Sequence, residues 1–192
     1  MNIFRKIYYN FLTKKIIKKN VHYERGKYED RNVLEAIIFP YILAHKNPKT
    51  ILDIGREDYQ KFYNDFFKRR ILWTMDNDPE REKYGAPGKH ITDYASNLKK
   101  HFKNNYFDFI LMNGVLGWGL NSDEAINKAF NAIYKVLKPD GIFVLGWNDS
   151  PMDLDKIEGL NKLKKYEFKP LGGSYFKCEN GNHQYGFYVK QS

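Results

Sequence analysis

Two hydrophobic patterns divide the chain. Over residues 1–20, Ile3, Phe4, Ile7, Tyr8, Phe11 and Leu12 recur at helical spacing, Ile16 and Ile17 follow a turn later, and Lys or Arg fills much of the other face. A polar stretch from His22 to Asp30 comes next. Asp30 is an N-cap candidate for a second helix that carries Val33, Leu34, Ile37, Ile38, Tyr41 and Ile42 on one side, and Pro40 within it predicts a kink. From Thr50 the pattern becomes short apolar runs alternating with amphipathic ones. Strands are expected at Thr50–Ile54, Ile71–Met75, Phe107–Met112 and Ile142–Trp147, with a short segment at His90–Thr92. Helices are expected near Tyr59–Phe67 and Tyr94–Phe102, and at Asp123–Leu137. The last has Ser122 as N-cap candidate, two acids in its first turn, and Pro139-Asp140-Gly141 as its stop. Tyr166–Lys169 and Gln184–Val189 read as a closing antiparallel pair joined by a Gly- and Asn-rich connection.

Repeated strand–helix–strand units predict an α/β fold: a Rossmann-like, doubly wound, mostly parallel sheet with helices on both faces and a C-terminal antiparallel strand pair. We divide the chain into a basic amphipathic leader with its connector (1–29) and one domain (30–192).

Composition changes this picture in two places. The chain has 192 residues, 42% of them hydrophobic, enough for a core without disulfides or metals, and its single Cys178 rules out an internal disulfide. The net charge of +9 suggests nucleic acid or an anionic surface. Residues 1–20, however, hold six Lys/Arg and no acid, leaving 26 basic against 23 acidic groups in the remainder, a net of +3. The basic character therefore belongs to the leader. Such a helix suits peripheral contact with an anionic membrane through residues 1–19, or packs its apolar stripe on the domain. A nucleic-acid partner is not expected, because the lysine pairs Lys99-Lys100 and Lys164-Lys165 end predicted helices. Without a spanning apolar run or a signal-peptide core, the expected location is the cytoplasm.

In a doubly wound sheet, ligands bind beyond the carboxyl ends of the strands. The first strand runs into Asp53-Ile54-Gly55-Arg56-Glu57-Asp58-Tyr59, where Gly55 permits a sharp turn. The second ends at Asp76-Asn77, 21 residues beyond Gly55, a spacing that suits an acid on a ribose diol. Asp93-Tyr94 follows the third, where a carboxylate can accept from an adenine amino group. Trp118 and Trp147 stand near strand ends as candidate walls of an acceptor pocket, or as packing residues. His183, in the terminal hairpin, is either a candidate base at the site or a solvated turn residue beside Asn182, and Asn148 follows Trp147 as a further candidate on the acceptor side. The P-loop, zincin and nucleophile-elbow strings do not occur, and no metal site is expected.

The ordered series ILDIG, MDNDPE, HITDYASNL, YFDFILMNGVLGWG and VLKPDGIFVLGWND, over residues 50–150, resembles the class I S-adenosylmethionine-dependent methyltransferases. A softer likeness is to small bacterial methyltransferase-like proteins tied to surface glycans. The resemblance implies S-adenosyl-L-methionine as cofactor. It places Asp53 and Gly55 at the first cofactor motif, Asp76 at the ribose, Asp93 at the adenine, and Asn113 and Gly114 at the transfer rim. It also implies a small-molecule or glycan acceptor, O-methylation and no known catalytic base. The family commonly has Gly-x-Gly at the first loop, whereas this chain reads Gly55-Arg56-Glu57. A side chain at the second glycine position crowds the ligand or takes another backbone path, with Asp58 and Tyr59 as candidates for an altered wall. The alternative reading is therefore a non-catalytic protein of this fold acting as a partner or scaffold. A nucleotide-dependent oxidoreductase fits less well, lacking both the glycines and the ordered series.

Overall fold

Apolar runs without alternation need cover on both faces, and the computed structural model supplies it. The structure describes residues 29–149, 153–179 and 181–192, together with Ile7 and Phe11. The leader expected over residues 1–20 otherwise lies outside the described residues. Ile7 and Phe11 are both helical and each is 61% exposed.

Among the described residues eight strands form one sheet: β1 (Thr50–Ile54), β2 (Ile71–Asp76), β3 (His90–Thr92), β4 (Phe107–Asn113), β5 (Leu137–Asn148), β6 (Lys164–Lys165), β7 (Tyr175–Lys177) and β8 (His183–Val189). The order is β3-β2-β1-β4-β5-β8-β6, with β7 also paired to β8. Pairs among β1 to β5 are parallel, and every pair made by β8 is antiparallel. The chain reverses its direction of winding between β1 and β4, so their carboxyl ends open the crevice where such sheets bind ligands.

Helices cover both faces. On one face, α1 (residues 29–45) and α2 (Lys61–Phe66) bury Phe39, Tyr63, Phe66 and Phe67 against Phe109 and Val144. On the other, α3 (Leu98–His101), α4 (Asp123–Val136) and α5 (Glu158–Asn161) pack with Phe107, Phe143 and Leu145. Ser122 caps α4 as expected, accepting from Ala125 N at 3.3 Å. Among the described residues no helix is long and apolar enough to cross a membrane.

Three local expectations change. Asp30 lies within α1 rather than capping it, since Glu29 is already helical. Ahead of Pro40, Val33–Ile38 forms a π-helical stretch in which Phe39 N donates to Leu34 O, five residues back. Tyr166–Lys169 is not a strand. Pairing with β8 begins earlier, at β6, ends with Tyr166 N donating to Phe187 O at 2.8 Å, and is followed by a 3₁₀ turn over Lys169–Leu171 that contains Pro170. The Gly-rich connection expected there contains β7.

Candidate active site

A cavity of about 570 Å³ opens at the carboxyl ends of β1, β2 and β4, a size usual for small-molecule sites. It brings together Gly55, Arg56, Glu57, Asp76, Asn77, Asp93, Tyr94, Asn113, Gly114, Trp118, Asn148 and His183 from the residues singled out in the sequence. Asp53 and Trp147 are not on its wall. Trp147 is a correction. Alternation along β5 sends Asn148 to the cavity and Trp147 into the core on the opposite face, with Leu145. Tyr59 lines the cavity and Asp58 does not.

The loop after β1 explains itself once its charges are followed. Gly55 adopts a left-handed φ of 87°, and a Cβ there would lie 2.6 Å from Val115 Cγ2. Arg56 turns its side chain into the body, where it is buried. Its Nη1 meets Asp53 Oδ2 at 2.5 Å. Nη2 donates to Tyr84 O at 2.6 Å, Asn64 Oδ1 at 3.0 Å and Gln60 O at 3.1 Å. Burial pushes the Asp53 carboxyl above its usual range, and Arg56 is the main opposing influence. At the second glycine position Glu57 is extended (φ −127°) and caps the turn Asp58–Gln60. Its carboxylate pairs with Arg81 Nη1 at 2.5 Å on the cavity rim. The loop is thus tied down by the side chains of Arg56 and Glu57.

Asp76 closes the same loop. Its Oδ2 accepts from Arg56 N at 2.7 Å and its Oδ1 from Asp78 N at 2.9 Å. Each carboxylate oxygen keeps capacity for another donor. Asp93 has partners of its own. Its carboxylate is turned to Asn97 Nδ2 (2.7 Å), His101 Nε2 (2.7 Å) and Tyr94 N (2.8 Å). Hydrogen bonds from Asn97 and His101 hold it at about 2. His101, which carried no signal in the sequence, is therefore the partner of Asp93.

At the other end, Asn113 and His183 meet across the junction of β4, β5 and β8. His183 Nε2 lies 3.0 Å from Asn113 Oδ1, and Nδ1 lies 2.8 Å from Asn148 Oδ1. Gly146 is required beneath them, since a Cβ there would fall 1.9 Å from Asn113 Oδ1. His183 is buried rather than solvated in a turn, and burial lowers its pKa to about 4. A neutral ring donates from one nitrogen and accepts at the other; with Asn113 Oδ1 accepting from Nε2–H, it is the Asn148 amide that presents its NH₂ to Nδ1. Asn113 Nδ2 is buried without a hydrogen-bond partner.

The depressed histidine has a consequence for stability. The unfolded chain binds this proton near pH 6.5 and the folded chain only near 4. Between those values the unfolded state holds more protons, so stability rises with pH, by as much as about 3 kcal/mol over the window. Chemical denaturation from pH 4 to 7 is expected to show that rise, and His183→Asn to flatten it. An unchanged slope in the variant would contradict the burial of a neutral ring.

Asp30, Arg31 and Arg81, which no sequence motif marks as site residues, also stand on the cavity wall. Asp30 and Arg31 come from the first turn of α1. Its position is fixed partly by Tyr185, which donates to Asp30 O at 2.8 Å. Among the described residues no group of His, Cys, Asp and Glu is placed to hold a metal ion. Cys178 lies apart from the cavity, and burial pushes its thiol up to about 12.

Comparison with known proteins agrees with this geometry. Residues 71–145 match the family described as a methyltransferase domain. The N-methyltransferase NodS from Bradyrhizobium japonicum WM9 has a similar structure (TM-score 0.58, 15% identity, 76% of this chain and 87% of that one). So does a TehB-like S-adenosylmethionine-dependent methyltransferase from Corynebacterium glutamicum (TM-score 0.54, 17% identity, 74% and 80%). A third is the Thermus thermophilus 16S rRNA N2 G1207 methyltransferase in complex with AdoMet and guanosine (TM-score 0.52, 10% identity, 75% and 35%). A search of curated proteins finds no match. The fold is that of the class I methyltransferases, and residues 71–145 are similar to a methyltransferase domain.

Proposed function

We propose that the protein is an S-adenosylmethionine-dependent methyltransferase that methylates an oxygen of a small-molecule or glycan acceptor. One observation carries the reading: Asp76, at the end of β2, closes the Gly55 loop and lines the same cavity as Asn113 and His183. The residues fit the cofactor. Asp76 has acceptor capacity for the ribose hydroxyls, and Asp93, Tyr94 and Ala95 form a wall for the adenine. Left-handed Gly55 and Gly114 bring backbone close to the ligand, and the unpartnered Asn113 Nδ2 offers a donor. With Asp93 engaged by Asn97 and His101, its part at the adenine is to shape the wall.

The bound cofactor supplies an electrophilic methyl on a sulfonium, so the protein's task is positioning. Trp118, Asn148 and His183 lie at the acceptor end. Trp118 is 78% exposed and offers an aromatic rim suited to a sugar or other flat ligand. His183 is neutral at physiological pH and orients the acceptor by hydrogen bonding. Asp30, which lines the same cavity and whose charge is felt by His183, would be the residue to accept the proton of an acceptor hydroxyl.

The test is transfer of a ¹³C-labelled methyl from the cofactor to hydroxyl-bearing sugars and small phenols, read by NMR. Acceptor-dependent release of S-adenosylhomocysteine with label on oxygen is expected. Label on nitrogen would overturn the acceptor assignment. Donor binding with no turnover on any acceptor would favour the non-catalytic reading, whose motive is the Glu57–Arg81 pair standing on the cavity rim.

A further inference from the structure

The net charge of +3 outside the leader hides a separation. Four segments lead into strands at the amino end of the parallel sheet: 46–49 before β1, 67–70 before β2, 102–106 before β4, and the α4–β5 junction 135–141. Together they hold eight Lys/Arg and one acid, Asp140. The segments at the carboxyl ends, 55–60, 77–83, 93–97 and 113–124, hold three Lys/Arg against eight acids.

The basic segments stand in a row, because β2, β1, β4 and β5 are consecutive neighbours in the sheet, about 4.8 Å apart. Main-chain bonds tie them together: Ile71 N donates to Lys49 O at 2.9 Å and Asn105 N to Lys135 O at 3.0 Å. Asp108 meets Lys138 at 2.7 Å, and Arg70 donates to Asn47. The other six, Lys46, Lys49, Lys68, Arg69, Lys103 and Lys135, are exposed. Like charges held at one end repel one another, and an anionic surface relieves that cost.

Two observations choose the anion. Among the aromatic residues of these segments, Phe67 and Phe102 are buried and Tyr106 is half-buried, so they form no platform on which bases could stack. The leader adds what a bilayer takes and a nucleic acid does not. Ile7 and Phe11, one turn apart, are helical and exposed, within a stretch of six Lys/Arg and no acid.

We propose that the amino end of the sheet is a docking surface for an anionic lipid bilayer, acting together with the leader. A single weak signal gives marginal attachment, whereas two together hold. Each Lys or Arg near an anionic leaflet raises partitioning roughly fivefold. The cavity then opens about 20 Å from the headgroups, the length of the seven-residue β4, and away from the membrane.

The experiment is sedimentation of the full chain with vesicles of phosphatidylcholine plus phosphatidylglycerol, and with phosphatidylcholine alone. Wild type is expected to partition onto the anionic vesicles only, and added salt to release it. Lys46→Gln, Lys49→Gln, Lys68→Gln and Arg69→Gln combined should weaken that partitioning at least about tenfold. Undiminished binding by this variant would overturn the proposal, since the leader alone would then suffice. So would equal wild-type binding to both vesicle types. Loss of duplex RNA binding in the variant, with vesicle binding kept, would make the surface a nucleic-acid one instead. A fluorescent label reads the orientation without the charge variant. Cys178 is buried, so Lys68→Cys and Asn121→Cys can each be labelled selectively. A quencher on the lipid headgroup is expected to dim the label at position 68 and spare that at position 121; equal or reversed dimming would overturn the assignment.

Discussion

Arg56→Met is expected to cost about 3–5 kcal/mol of stability. The substitution keeps much of the apolar stem but leaves Asp53 buried without its 2.5 Å partner and frees Tyr84 O, Gln60 O and Asn64 Oδ1. A buried carboxylate stripped of its cation is far costlier than an intact pair is favourable. The sign with pH follows from the raised Asp53 carboxyl. In the variant the folded state favours protonated Asp53, whereas the unfolded chain ionises near 4. The deficit is therefore larger at pH 7 than at pH 5. Urea denaturation at the two pH values checks both statements. Arg56→Met combined with Asp53→Leu should recover a large part of the loss, because it removes the orphaned charge as well. If the single variant were as stable as wild type, the loop would not be organised by this residue.

Asp76→Ala is expected to weaken S-adenosylhomocysteine binding at least about a hundredfold. Two effects combine. The ribose hydroxyls lose a charged acceptor, and the loop amides of Arg56 and Asp78 lose theirs, at 2.7 Å and 2.9 Å. Asp76→Asn separates them, since its amide oxygen can still take one amide and one ligand bond. Its loss should be intermediate, with a melting temperature closer to wild type. Calorimetry with thermal denaturation reads both. Full affinity in Asp76→Ala would move the ribose elsewhere in the cavity.

β1, β2, β4 and β5 were legible because each contains a short apolar run, and a run needing cover on both faces has few alternatives to a parallel sheet. The tail was less legible. Its edge strands are polar, with β6 consisting of Lys164 and Lys165, both exposed, and β7 set in a Gly- and Asn-rich stretch. Tyr166–Lys169 looked better as a strand on side chains alone, but pairing with β8 ends at Tyr166 and a 3₁₀ turn containing Pro170 follows. Asp76 and Asn113 could be placed because strand ends mark the crevice. The role of Arg56 could not. A charged residue beside a loop glycine reads as solvated, and only the tertiary structure shows Asp53 and three other acceptors waiting beneath it. Arg31 was hidden for a related reason: nothing local signals that the first turn of α1 reaches a cavity formed by residues far along the chain. His183 and Asn148 are 35 residues apart, and their contact exists only through the β5–β8 pairing.

Donor binding is the central claim, and equilibrium calorimetry of the full chain with S-adenosylmethionine and S-adenosylhomocysteine tests it most directly. Saturable binding of both at or below about 1 mM is expected, the range in which enzymes meet their substrates. A folded protein that binds neither at millimolar concentration would contradict it, and would leave a methyltransferase fold whose Gly55-Arg56-Glu57 loop no longer admits the cofactor.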